Sequence, residues 1–265
     1  MTGGRADRVA LADEVRSLVA DVNRLAPTND AVAEARSLVA AARQALDGPE
    51  RRRWYEVPLA EIDAEVEARL RAEAFDHSLF RGPANPLAPP LVVTTEVDDD
   101  GWYVVGSVRL DRSREGPPER LHGGYLAGLF DDVLSGVPSL VEMGPTVTAR
   151  LAIRFREATP LDVALRFEAR VVRHSGRRLV ARARCLIATA DGSAVADGAK
   201  ATAEAEALFV AVPARAQEAG PGEDRCPTPL SVSCALATPP GRSWRVPCSL
   251  IGHQVGAPWE PGRWF

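Results

Sequence analysis

A histidine followed by two glycines, His122-Gly123-Gly124, opens a segment in which Leu126, Leu129, Phe130 and Val133 recur at helical spacing. The first turn of a helix presents backbone N–H groups with no partner inside the helix, together with the positive end of the helix dipole. Two glycines there let a carbonyl oxygen approach closely. That arrangement polarises a carbonyl. Asp131 stands nine positions after His122, about two and a half helical turns along, beside the apolar stripe rather than at its centre. A carboxylate so placed can face a neighbouring subunit, and it can act as a nucleophile or as the base that activates a water. Adjacent helical residues point about 100° apart, so Asp131 and Asp132 cannot both enter one pocket, and the nine-residue spacing favours Asp131. The competing reading is plain: a helix start that needs small residues, and acids on a solvated helix face.

Such a helix must be seated on a scaffold, and the period of the sequence changes from 3.6 to 2 to supply one. From about Ala6 to Ala74 apolar residues recur at helical spacing, as in Val15, Leu18, Val22 and Leu25. A second helix is capped near Thr28-Asn29-Asp30, carries Val32, Leu38, Val39 and Leu46, and stops at Gly48-Pro49; a third runs from Leu59 to about Ala74. The stretch Phe80 to Pro90 holds four prolines and reads as an irregular linker. Beyond it come β-rich runs at Leu91 to Val97 and Trp102 to Leu110, joined by a hairpin ending in Asp100-Gly101. Thr146 to Arg156 alternates, with Val147, Ala149, Leu151, Ile153 and Phe155 on one face and Thr148 on the other. Further runs cover Val163 to Val171, Leu179 to Ile187 and Ser193 to about Phe209, the last after a turn at Asp191-Gly192. A single helix, Gly123 to about Gly136, lies between the second and third strands and should end at Pro138. The expected class is α+β. One antiparallel six-stranded sheet wraps around one central helix, with helices preceding it.

Four regions follow from this pass: helices over 1–78, a Pro-rich linker over 79–90, the sheet domain over 91–211, and an irregular tail over 212–265 whose Trp244, Trp259 and Trp264 could anchor it. Composition narrows the function classes. The 36 acidic and 32 basic residues are spread along the chain, so no nucleic-acid arm stands out. Four cysteines, Cys185, Cys226, Cys234 and Cys248, show no CxxC spacing, which argues against a zinc ribbon or a disulfide framework and fits a reducing cytoplasm. No apolar run reaches the roughly 20 residues of a membrane span, and the N-terminal stretch lacks the apolar core of a signal peptide.

Leu121 to Asp132, followed by Thr148-Ala149-Arg150-Leu151-Ala152-Ile153-Arg154-Phe155, resembles the hotdog-fold acyl-coenzyme A thioesterases of the phenylacetate-pathway type. The match rests jointly on HGG opening the only helix of the sheet region, an acid nine positions later, the TxRLxIxF strand and the Gly176-Arg177-Arg178 hairpin. It covers about 120 residues and leaves the flanking regions unexplained. The resemblance implies that Gly123 polarises the thioester carbonyl, with Gly124 giving steric room. It implies that Asp131 is general base or nucleophile, and that Thr148 supplies a hydroxyl near the attacking water. It also implies a homodimer or dimer of dimers whose active sites straddle the subunit seam, an acyl-coenzyme A substrate, and no metal or redox cofactor. Arg177 and Arg178 could grip coenzyme A phosphates, since guanidinium forks suit phosphate, although a solvent-facing basic turn explains them equally. Asn85 could support the substrate pocket, or could simply form a turn with Pro86. Some members of this family carry an Asn or Gln shortly before HGG, where this chain has Gly116-Pro117-Pro118-Glu119-Arg120. Two other classes are weighed: a hotdog hydratase or dehydratase, which would need a paired acid and histidine over the acyl β-carbon, and a non-catalytic acyl-coenzyme A-binding protein.

Overall fold

The computed structural model describes residues 3–51, 53, 56–57, 61–189, 195 and 198–212. Three helices come first: α1 (Gly3–Arg24), α2 (Asn29–Ala45) and α3 (Ala64–Asp76). The Thr28 hydroxyl caps α2 by accepting from the Ala31 N–H, as the sequence predicts. The third helix starts later than expected because Asp63, not the Leu59 region, provides its cap, its carboxylate accepting from the Val66 N–H. Leu59 itself lies outside the described residues.

The six strands are β1 (Val92–Asp98), β2 (Gly101–Arg109), β3 (Thr146–Phe155), β4 (Ala164–Ser175), β5 (Arg178–Ile187) and β6 (Ala203–Ala211), all antiparallel in the order β1-β2-β4-β5-β6-β3. Gly101, at a φ of 105°, supplies the left-handed turn of the first hairpin that the Asp-Gly signal predicts. The last strand begins ten residues later than expected, and the predicted Asp191-Gly192 turn falls outside the described residues. So does the predicted tail. Between β2 and β3 lies α4 (Gly123–Leu134), followed by a 3-10 turn over Val137–Val141 in which Pro138 sits in the first turn. Proline thus starts a new turn here as well as closing α4.

The sheet curls around α4 because one face of each carries the apolar residues. Leu126, Leu129, Phe130, Val133 and Leu134 of α4 are buried against Val104, Leu165, Phe167, Leu179, Ala181 and Phe209 on the concave face. Phe130 and Phe167 meet edge-on, with ring centroids 5.1 Å apart. The convex face is polar and self-neutralising. Glu96 and Glu168 both hold Arg166, Glu168 also takes Arg184, Glu206 takes Arg150 and Arg182, and Asp98 takes Arg170.

The stretch expected to be a linker is packed onto this domain. Ala84, Ala88 and Leu91 are buried, the Leu91 N–H donates to the Phe80 carbonyl at 2.8 Å, and the Phe80 ring meets Tyr125 of α4 edge-on. Four prolines make it irregular, but irregular is not loose: Arg16 of α1 donates to the Pro83 and Asn85 carbonyls and ties α1 to it.

Close approach of α4 to β2 depends on Gly106, where a Cβ would stand 2.4 Å from Val133 Cγ2. Gly106→Ala is therefore expected to lower stability by about 1–3 kcal/mol through overpacking, read as a shift of the denaturant midpoint. An unchanged midpoint would show that α4 can lift from the sheet at no cost.

Candidate active site

At the start of α4 the structure separates the roles of the three motif residues. His122 is the N-cap: its backbone is extended, and its Nδ1 accepts from the Gly124 N–H at 3.1 Å. The His122 carbonyl takes the Tyr125 and Leu126 N–H groups. Among the described residues this leaves the Gly123 N–H as the first-turn donor with no acceptor, as helix-end geometry leads one to expect. A Cβ at Gly123 would meet the Phe155 ring of β3 at 3.2 Å, so the absence of a side chain is what lets the helix start lie against the strand.

Asp131 and Asp132 point to different partners. The Thr148 hydroxyl donates to Asp131 Oδ1 at 3.0 Å, joining the helix to the edge strand. Strict alternation had put Thr148 on the opposite face from Val147, Leu151 and Ile153; the structure corrects this. The register of β3 on β6 shifts between Thr148 and Arg150, so Ala149 is an extra residue in a β-bulge and the parity of the strand flips there. Thr148 consequently turns to the helix while Val147, 50% exposed, turns away. No residue type in this stretch announces the bulge.

Asp132 is engaged elsewhere. Its carboxylate pairs with Arg81, and Arg81 also donates to the Asp132 carbonyl and to the Ser135 hydroxyl; the two paired side chains are only 8% and 17% exposed. Burial pushes the Asp132 carboxyl above the ordinary carboxylate range, Arg81 opposes that push, and the nearby Asp131 charge adds to it. Asp132 thus pins α4 to the proline-rich segment. Nothing in the sequence singled out Arg81.

A cleft of about 490 Å³ opens beside the cap, walled by Leu79, Phe80, Leu87 and Tyr125 with Arg114 and His122 at its polar side. Asn85 is not among its lining residues. Instead its amide donates to the His77 and Ser78 carbonyls and its Oδ1 accepts from the Leu87 N–H, so it shapes a turn rather than the pocket. Arg177 lies in the β4–β5 turn with its guanidinium on the Ala211 carbonyl. Arg178 pairs with Val210, which in turn pairs with Val147, so this turn lies at the Thr148 end of the sheet.

No protein-family model and no curated protein matches the chain. Solved structures do. A crystal structure of a thioesterase superfamily protein aligns over 77% of this chain and 94% of its own, at 27% identity and a TM-score of 0.55. The chain has the hotdog fold of the thioesterase superfamily. That alignment covers more than the sheet region and everything after it contain, so the likeness reaches into the residues before the hotdog domain. A thioesterase superfamily protein from Shewanella loihica PV-4 aligns over 46% of this chain and 91% of its own, at 20% identity and a TM-score of 0.36. A protein from Streptococcus mutans UA159, solved bound to acetyl coenzyme A, aligns over 46% and 89%, at 16% and 0.37. No described helix is long and apolar enough to cross a membrane.

The Arg81–Asp132 pair yields a pH-dependent expectation. Arg81→Met should destabilise the hotdog domain by about 3 kcal/mol near neutral pH, the cost of leaving a buried carboxylate uncompensated. The folded-state pKa of Asp132 is already raised, so the folded form favours the protonated carboxyl; the cost is present while Asp132 is ionised and shrinks as pH falls through that raised pKa. Denaturant melts of wild type and variant from neutral to acid pH check this, and a gap that widens toward acid would contradict it.

Proposed function

We propose that this chain is an acyl-coenzyme A thioesterase of the phenylacetate-pathway type, hydrolysing the thioester to a free acid and coenzyme A. The observation that carries the reading is the Thr148 hydroxyl on the Asp131 carboxylate at the open edge of the sheet. A carboxylate held there, with one face still available, can activate a water or attack a thioester carbon, while the Gly123 N–H receives the oxyanion.

Within one chain the two groups cannot act on the same carbonyl. Asp131 lies eight residues beyond Gly123, a rise of about 12 Å, whereas reacting atoms must come within about 3–3.5 Å. A second copy removes the difficulty. Gly123 touches the Phe155 end of β3 and Asp131 the Thr148 end, and β3 has no outer neighbour among the described residues. Antiparallel pairing of β3 with its counterpart therefore brings Asp131 of one subunit beside Gly123 of the other. The functional unit is a homodimer with two such sites, and the Arg177-Arg178 turn, at the same end of the sheet as Thr148, is available to coenzyme A phosphates.

Supplied with a panel of short, long and aromatic acyl-coenzyme A thioesters, the protein should release free thiol from at least one; silence across the panel would overturn the reading and favour an acyl-coenzyme A-binding protein without turnover. Asp131→Asn is expected to lower kcat on the order of 100- to 10,000-fold while the dimer persists by light scattering. Mixing refolded Asp131→Asn and Gly123→Val subunits, each inactive alone, should restore activity, because one of the two sites in the mixed dimer has both groups intact. Activity that never returns on mixing would place Gly123 and Asp131 of the same subunit in one site.

A further inference from the structure

Two buried polar groups beside the α4 N-terminus have no partner among the described residues. Arg114 Nε and the Tyr125 hydroxyl are enclosed and make no hydrogen bond. Buried donors left unpaired are costly, and each calls for an occupant that the bare chain lacks. The two belong to one assembly, for the Arg114 guanidinium lies 5.0 Å from the centre of the Tyr125 ring and both residues line the same cleft.

Among the described residues Arg114 also has no counter-charge. Its terminal nitrogens donate to the Leu87 carbonyl at 3.2 Å and to the Ser113 hydroxyl at 2.6 Å, both neutral. Its chain neighbour Glu115 lines the cleft too, but that carboxylate accepts from the Glu119 N–H and forms no ion pair with Arg114. Among the described residues the other arginines that are not exposed, Arg16, Arg81, Arg166 and Arg170, each hold a carboxylate. A guanidinium kept in an apolar-walled cleft without an acid is a receptor for an anionic oxygen group.

We propose that the cleft takes a carboxylate at the far end of the acyl group, so that the preferred substrate is the coenzyme A thioester of a short dicarboxylic acid, gripped by Arg114 and the Tyr125 hydroxyl. The proposal rests on the thioesterase reading. Tyr125 is two residues from Gly123, a rise of about 3 Å, so the anion site stands close to the place of the thioester carbonyl. That suits a short acyl chain. The phosphates of coenzyme A stand well away from the carbonyl, at the end of the long pantetheine arm. Binding at Nε and the hydroxyl requires the side chains that cover them to move; Leu79 and Leu87, which line the same cleft, are 56% and 65% exposed.

The test compares succinyl- with butyryl-coenzyme A, matched in length and differing in the terminal carboxylate, by kcat/KM for thiol release. Wild type is expected to favour the succinyl thioester about tenfold or more, the usual worth of a charge-assisted hydrogen-bond set. Arg114→Gln should collapse that ratio, Arg114→Lys should keep more of it than Arg114→Gln does, and Tyr125→Phe should reduce it. Equal use of both thioesters by wild type would overturn the proposal while leaving the thioesterase reading intact. So would an equal proportional loss on both in Arg114→Gln, the mark of a contact to coenzyme A or of a merely structural role. If neither thioester is cleaved, calorimetric binding of the same pair decides: tighter succinyl binding lost in Arg114→Gln supports the carboxylate site, and equal binding refutes it.

Discussion

The described hotdog domain depends on burying one apolar helix against one concave sheet. Leu126, Leu129, Phe130 and Val133 give α4 a side that water disfavours, and the inward residues of β2, β4, β5 and β6 give the sheet a matching surface. Once that side is committed, the rest of the helix is assigned by its 100° steps. His122 and Gly123 must emerge at the end, Asp131 must face the edge strand, and Asp132 must face the proline-rich segment. The candidate site is thus placed by packing, and the neighbouring carboxylates are given separate partners by the same helix geometry.

The proline-rich segment is the second half of that placement. It looked like a spacer between helices and sheet, yet its Arg81 reaches the Asp132 carboxylate, backbone and cap region at once, and its Phe80 closes on Tyr125. A charge pair this enclosed adds little net stability over an apolar contact, but it dictates which way α4 is turned about its axis. The cleft beside the helix start exists because this segment is held at that distance.

Much of this was legible from residue order because the signals are local. The alternation of β-rich runs, the Asp100-Gly101 hairpin, the Thr28 cap and the HGG helix start each lie within a few residues and need no tertiary partner to be read. What escaped is what depends on contacts between distant positions. Arg81 and Asp132 are 51 residues apart, and Arg114 gains its meaning only by lying over Tyr125. Thr148 was assigned to the wrong face because a bulge shows itself in the pairing of two strands and not in the residues of one. Asn85 suits a pocket or a turn by type, and only the fold shows its amide spent on the carbonyls of its own turn.

The bulge at Ala149 has a consequence for which chains can add to the sheet. Among the described residues β3 is an open edge with apolar Val147 and Phe155 exposed, the kind of strand that invites promiscuous pairing. An extra residue near one end breaks the ladder spacing there, so a flat, regular foreign strand meets a mismatch, while the stretch from Leu151 to Phe155 remains regular. The same irregularity that aims a hydroxyl at a carboxylate therefore also acts as a filter on the edge, narrowing its acceptable partners toward strands whose register respects the defect.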